Sequence, residues 1–424
     1  MAISEIYVDP SLAGDTGTGT RATITLTAAT FTFAALSLTE VGAFASYTFV
    51  AGDRIYITGG TAVTAGYYTI ASKTSDDVIV LTADITTDAS SPADVTAATA
   101  PYGDLEFAIE QTTFDTTNGT RVNIKAGTDE ILAADLTTAL ADTGTTIAWV
   151  PSELAPLYIQ GYTAVAGDGG VGGISGGAGN FPILTASSSQ RHILLLDLHM
   201  HNVGTATNLL SVNNYSVIAR CEIDNVTGSG VSSGVSCLIT NCYIHDCTVN
   251  GVMGNFDAIT YCVFENGASK KFGSNGSAAC IASSRLVDRN IFILDSVSDG
   301  INSGDYGAIT NNSIYSNAGT GSGIVCQNAQ GAFLIANNLI EGFSGTGGFG
   351  IDFVAATSYA RMMRNNSVYN CLIAIDTPSM TPAESVGNET LTASPFTSAS
   401  TGDFSPVDTG SVKEGSWPTA YLNA

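Results

Sequence analysis

The chain has 424 residues, 44% of them hydrophobic, 12% charged and 46 of them glycine. That length buries a large core without help from metals or disulfides. The net charge of −24 argues against nucleic acid or an anionic membrane as partner and leaves neutral glycans open; no apolar run is long enough for a membrane helix.

The opening MAISEIYVDP has neither a basic region nor an apolar signal core, so synthesis in a cytoplasm is expected. Residues 1–20 read as one strand, the first of a solenoid cap, followed by a glycine-rich turn. Residues 21–101 differ from what flanks them: FTFAAL, YTFVAGDRIYITGG, AGYYTIAS and DDVIVLTADI alternate as strands between Gly and Asp turns. This pattern predicts a small inserted antiparallel sandwich or barrel. Residues 102–194 hold a capping helix and the first coils. The helix, Gly103 to Gln111, places Leu105, Ala108 and Ile109 on one face. Strands are expected at Arg121–Lys125 and Leu157–Gln160. The loop Gly167–Asn180 is rich in glycine, but with no Lys and no following helix it reads as a flexible turn and not as a phosphate cradle.

Residues 195–376 carry a repeat. Cys221, Cys242, Cys262, Asn290, Asn312, Asn338 and Asn366 form one column, recurring every 20 to 28 residues. Two residues downstream stand Ile223, Ile244, Phe264, Phe292, Ile314, Ile340 and Val368; three upstream, Ile218, Ile239, Ile259, Val287, Ile309, Ile335 and Met363. A third apolar column runs Val231, Val252, Ile281, Ile301, Ile324, Ile351 and Ile375. Three short β-branched cores per unit at this period predict an all-β, right-handed parallel β-helix solenoid, because one unit cannot bury its inward side chains alone. The Asn column is expected to bond from coil to coil at a buried turn. All eight cysteines fall between Cys221 and Cys371, inside the repeat, and are expected as free thiols. Residues 377–424 form a closing segment and a tail in which Trp417 and Tyr421 follow the last coil.

Together YVDP, YGDLEFAIE, VNIKAGT, IQGYTAVAGDGG, the Asn-ladder coils and the closing motifs Ser394-Pro-Phe-Thr397, Gly402-Asp-Phe404 and Gly410-Ser411 resemble right-handed parallel β-helix proteins of the pectin-lyase-like superfamily. The resemblance spans roughly residues 1–20 and 102–411. It implies the fold; for function it spreads over lyases, hydrolases, phage tailspikes and virion proteins. The segment 21–101 departs from the plain pattern and in the resemblance looks like an added binding or attachment module.

Candidate chemistry follows from register. One coil back, with Leu198 in the ladder position, the outward rows become His201, Asp224, His245 and Glu265, and beside them His199, Glu222 and Tyr243, flanked by Asp197 and Arg220. Glu222, Asp224, His245 and Glu265 are the candidate catalytic residues; His199, His201 and Tyr243 are candidates for binding. Histidines and carboxylates one coil apart can hold a divalent metal or supply a general acid and base. Such rows also pair across strands with no chemistry at all. Lyases of the superfamily use a basic residue beside calcium-binding acids, and Arg220 is the sole basic neighbour; calcium is the only cofactor implied. The enlarged third coil adds Lys270, Lys271 and Phe272, a basic-aromatic loop for a partner or glycan.

Two functions are expected from these readings. One is a structural virion component of a phage, a head decoration, fibre or tailspike. It would be assembled as a homo-oligomeric, trimeric shaft with other virion proteins and bind capsid or cell-surface polysaccharide, without nucleic acid and without membrane insertion. The other is a polysaccharide lyase or glycoside hydrolase acting through the carboxylate rows.

Overall fold

The computed structural model describes residues 3–12, 24–47, 53–99, 101–110, 114–132, 136, 140, 150–177, 182–186, 190–201, 208–266, 279–282, 284–294, 299–303, 307–317, 319–326, 333–354, 361–376, 384–401 and 403–406. They divide into two compact units, Met1–Ile174 with Ile193–Leu198, and Ser175–His192 with His199–Ala424.

The second unit is a parallel β-helix of three sheets. The first sheet stacks Val217–Ala219, Leu238–Thr240, Ala258–Thr260, Leu286–Asp288, Gly307–Thr310, Phe333–Ala336, Arg361–Arg364 and Glu384–Val386. The second includes Leu198–His201, Glu222–Ile223, Tyr243–His245, Val263–Glu265, Ile291–Leu294, Ser313–Ser316, Leu339–Glu341, Ser367–Tyr369 and Glu389–Thr390. The third runs from Leu184–Thr185 and Asn208–Val212 to Phe349–Phe353 and Ile373–Asp376.

The three apolar columns stack in register. Ile309 pairs with Ile335, Ile314 with Ile340 and Ile324 with Ile351, and all of these are buried. Phe264 lies flat on Phe292, ring centroids 5.0 Å apart. Parallel pairing repeats each side chain above its equivalent, so like packs on like along the axis.

First and second sheets meet at a one-residue corner. Arg220, Asn241, Tyr261, Arg289, Asn311, Asn337 and Asn365 all have positive φ, between 52° and 58°, and each immediately precedes a ladder residue. That left-handed turn suits Asn and strains Arg and Tyr. Behind it the ladder forms as expected. Asn338 donates its side-chain amide to the Asn366 carbonyl oxygen (2.9 Å) and to Ile309 O (2.9 Å), and Asn312 and Asn290 repeat the pattern. The ladder goes one rung further than the sequence columns, because Asn366 donates to Asn388 at 2.7 Å. In the first rungs Cys221, Cys242 and Cys262 are buried free thiols, each donating to the carbonyl two residues back at 3.3 Å.

At the far end the chain turns back. Strands Phe396–Ser398 and Asp403–Pro406 form an antiparallel hairpin whose Phe396 and Phe404 lie on the outward side chains Ile291 and Leu339 of the second sheet. The closing segment therefore straps the flank of the solenoid. Trp417 and Tyr421 lie outside the described residues.

In the first unit the strands Ser4–Val8, Thr120–Lys125, Leu157–Tyr162 and Ile193–Leu196 pair in parallel. Between the first two stands a closed antiparallel barrel built from Ile24–Thr32, Ser37–Thr39, Val78–Leu81, Gly66–Ser75, Arg54–Gly59 and Val95–Thr99. It has its own core, with Phe31, Phe44, Ile55, Ile57 and Ile79 fully buried. The chain leaves the parallel strands at Val8 and returns beside it at Tyr102. The helix Leu105–Glu110 buries Leu105, Ala108 and Ile109, the face its spacing predicts, and Asp104 caps it by accepting from the Phe107 amide at 2.7 Å.

The glycine-rich loop is corrected here. Gly172–Ser175 is a buried strand, not flexible turn. A Cβ on Gly173 would come within 2.0 Å of the Asp129 carboxylate, and one on Gly161 within 2.2 Å of the Asp197 carbonyl, so these glycines serve close approach. The loop amides of Thr163, Ala164, Val165 and Gly170 all donate to Asp168, which leaves them no role with a phosphate.

Candidate functional site

The outward rows of the second sheet stand where register placed them. His199 pairs with Glu222 and Glu222 with Tyr243, while His245 pairs with Glu265 in the neighbouring row. The side chains link diagonally between the rows. His199 Nε2 lies 2.9 Å from Asp224 Oδ1, His245 Nε2 3.2 Å from Glu222 Oε1, and the Tyr243 hydroxyl donates to Glu265 Oε2 at 2.5 Å. Diagonal links arise because side chains two apart on one strand project side by side, and the next coil supplies a partner to each. His199 stacks on His201 at 4.3 Å and Tyr243 on His245 at 4.2 Å.

His245 is held at both nitrogens, since Asp246 Oδ2 lies 3.0 Å from Nδ1. Its ring can donate to both carboxylates only when it carries both protons. Asp246 was not among the sequence candidates; it sits at the end of the strand with φ of 50°, a position Asp tolerates. Burial by itself would raise the Asp224 carboxyl, but the hydrogen bond with His199 and the potentials of His199, His245 and His201 bring it below the ordinary value. Burial, then the bond to Glu265, pushes the Tyr243 phenol up. Asp224 is thus a fixed carboxylate and Tyr243 a fixed hydroxyl.

The rest of the sequence set divides. Arg220 lies at the exposed left-handed corner and not in the rows. Asp197, expected as an outward flank, is buried in the first unit, with 6% of its surface exposed. Lys270, Lys271 and Phe272 lie outside the described residues. The fourth histidine, His192, stacks on Tyr215 away from the rows.

A second group went unread in the sequence. On the third sheet Asp352 pairs directly with Asp376 in the next coil. Burial first, then Asp376 and Asp299, push the Asp352 carboxyl up to about 6. The signal was present, because these acids directly follow Ile351 and Ile375 of the third apolar column. The outward rows considered in the sequence were those of the second column.

No family model matches the chain, and no curated protein matches it. Among solved structures it is similar to the catalytic domain of a GH87 alpha-1,3-glucanase variant in complex with nigerose, at 12% identity and TM-score 0.35, covering 86% of this chain and 89% of that one. It is also similar to the catalytic unit of a thermostable GH87 alpha-1,3-glucanase from Streptomyces thermodiastaticus, at 14% identity and TM-score 0.32, covering 89% of each chain. A GH136 lacto-N-biosidase from Eubacterium ramulus follows at 11% identity and TM-score 0.32, covering 68% and 64%. The parallel β-helix assignment stands on the strand registers described above.

Proposed function

We propose that this protein binds a neutral glycan across the outward rows of its second sheet. The observation that carries the reading is the set of diagonal couples, His199 with Asp224, His245 with Glu222 and Tyr243 with Glu265. Each holds a carboxylate or hydroxyl in place without closing it to further partners, and successive couples are one coil apart, about 4.8 Å. Sugar hydroxyls present matching donors, and the Tyr243 and His245 rings offer apolar faces. A net charge of −24 disfavours a polyanionic chain. Titration calorimetry with neutral oligosaccharides, with and without calcium, tests this. Asp224→Asn and Tyr243→Ala are expected to abolish binding while leaving circular dichroism unchanged. Binding that survives both substitutions refutes the site.

A second reading is hydrolysis, which one observation favours. Cleavage needs a carboxyl still protonated near neutral pH, and Asp352 beside Asp376 supplies it, whereas Asp224 is held as an anion. Release of reducing ends that disappears in Asp352→Asn and persists in Asp224→Asn would support cleavage at the third sheet. Loss in Glu222→Gln and Asp224→Asn, with Asp352→Asn active, would move it to the second. We further propose a phage particle as the setting of this glycan contact, in a structural or attachment role, a reading supported by the sequence resemblance to tailspike and virion β-helices alone. Mass spectrometry of purified particles tests that setting.

A further inference from the structure

The first sheet differs from the other two. The second carries Glu222, Asp224, Glu265 and Glu341 on its outward side, and the third carries Asp352 and Asp376. The first instead carries an apolar stripe, one side chain per coil: Leu238, Ala258, Leu286, Ala308 and Leu334, extended by Val217 at one end and Met362 at the other. All are half-buried and face outward beside the buried column Ile239, Ile259, Val287, Ile309 and Ile335.

We propose that this stripe is a self-association surface on which a second copy of the chain packs with its solenoid axis reversed. Two features select that occupant. The first is shape. Large and small residues alternate from Leu238 to Leu334. A twofold axis parallel to the strands, passing between the coils of Ala258 and Leu286, lays Leu286 over the partner copy's Ala258, Leu238 over its Ala308 and Val217 over its Leu334. Ridges then enter gaps over the four central coils, and Val217 meets the partner copy's Leu334 at each end.

The second feature is charge. Asp257 and Arg285 stand at the starts of these two central strands and pair at 2.9 Å, both exposed. The same axis brings Arg285 to the partner copy's Asp257 and Asp257 to its Arg285, so each charge meets an opposite one twice. Copies meeting through the second or third sheet would oppose carboxylates in a chain of net charge −24, whereas this axis lays Asp288, the first sheet's outward carboxylate next to the stripe, over the partner copy's Thr260.

The contact is small. Seven coils at about 4.8 Å span roughly 29 Å, and strands of three or four residues are about 10–13 Å wide. The stripe thus offers about 300–400 Å² per copy, against about 800 Å² in an interface of standard size. A contact of this size makes a weak, reversible pairing, so association is sought across the micromolar range.

Sedimentation equilibrium of the full chain across that range tests the proposal. A reversible rise to the two-copy mass is expected. Leu286→Glu is expected to hold the chain at the one-copy mass with unchanged circular dichroism and melting temperature. Asp257→Arg should weaken association at least tenfold, and adding Arg285→Asp to it should restore association, because the swap rebuilds the reciprocal pairs. A chain that stays at the one-copy mass at all concentrations, a three-copy mass, association indifferent to Leu286→Glu, or a double swap no better than Asp257→Arg alone would each overturn it.

Discussion

Asn338 shows what a single buried polar side chain does in this fold. Its amide donates to Asn366 and to Ile309 O, and its own backbone amide is taken by Asn366 Oδ1 at 3.1 Å. Asn338→Leu strands partners in the coils on either side, and chemical denaturation is expected to show a loss of about 1–3 kcal/mol. Ile335, buried in the first column, should lose about 2–5 kcal/mol on truncation to Ala. Asp352 behaves in the opposite sense. Its folded value, about 6, lies above the ordinary 3.8, so its contribution is full below pH 4 and is lost as pH rises through 6. At pH 8 the ionised Asp352 repels Asp376 in a partly dry site. Asp352→Asn is therefore expected to raise the melting temperature at pH 8 and leave it unmoved at pH 4. A gain of equal size at both pH values would show that charge is not the cause.

At the scale of elements, the hairpin Phe396–Pro406 covers an apolar patch that the parallel stack creates by itself. Ile291 and Leu339 point outward, where equivalent positions hold Glu222 and Tyr243, and they are dry only because Phe396 and Phe404 lie on them. Ser394 latches the strap by donating to Glu341 Oε2 at 2.5 Å. Phe404→Ala should detach the hairpin, which limited proteolysis and binding of an apolar dye would report, with the β signal of the solenoid intact. The outward row of the second sheet thus changes character along its length, from polar and open at Glu222 and Tyr243 to apolar and strapped at Ile291 and Leu339. The register already places Ile291 and Ile293 outward, on either side of the inward Phe292; what it does not contain is the hairpin that covers them.

For the molecule as a whole, the barrel and the β-helix test each other's independence. The barrel has a closed sheet and a core of its own, and Val8 and Tyr102, the points where the chain leaves and returns, are neighbours. Removing residues 21–101 with a short linker is expected to leave a soluble chain with cooperative unfolding; a molten product would make the barrel part of the solenoid cap. The repeat alone determined the coils, the three buried columns, the Asn ladder from Asn290 to Asn366 and the outward register of His199, His201, Glu222, Asp224, Tyr243, His245 and Glu265. It did so because parallel stacking copies each position onto its equivalent, so a one-dimensional period is already a contact map. Only the tertiary structure decided that Asp246 holds His245, that Asn388 extends the ladder and that the closing hairpin doubles back along the flank. Those contacts join positions of different columns, or segments outside the repeat, and their partners follow from side-chain direction and from where the chain turns, neither of which a period encodes.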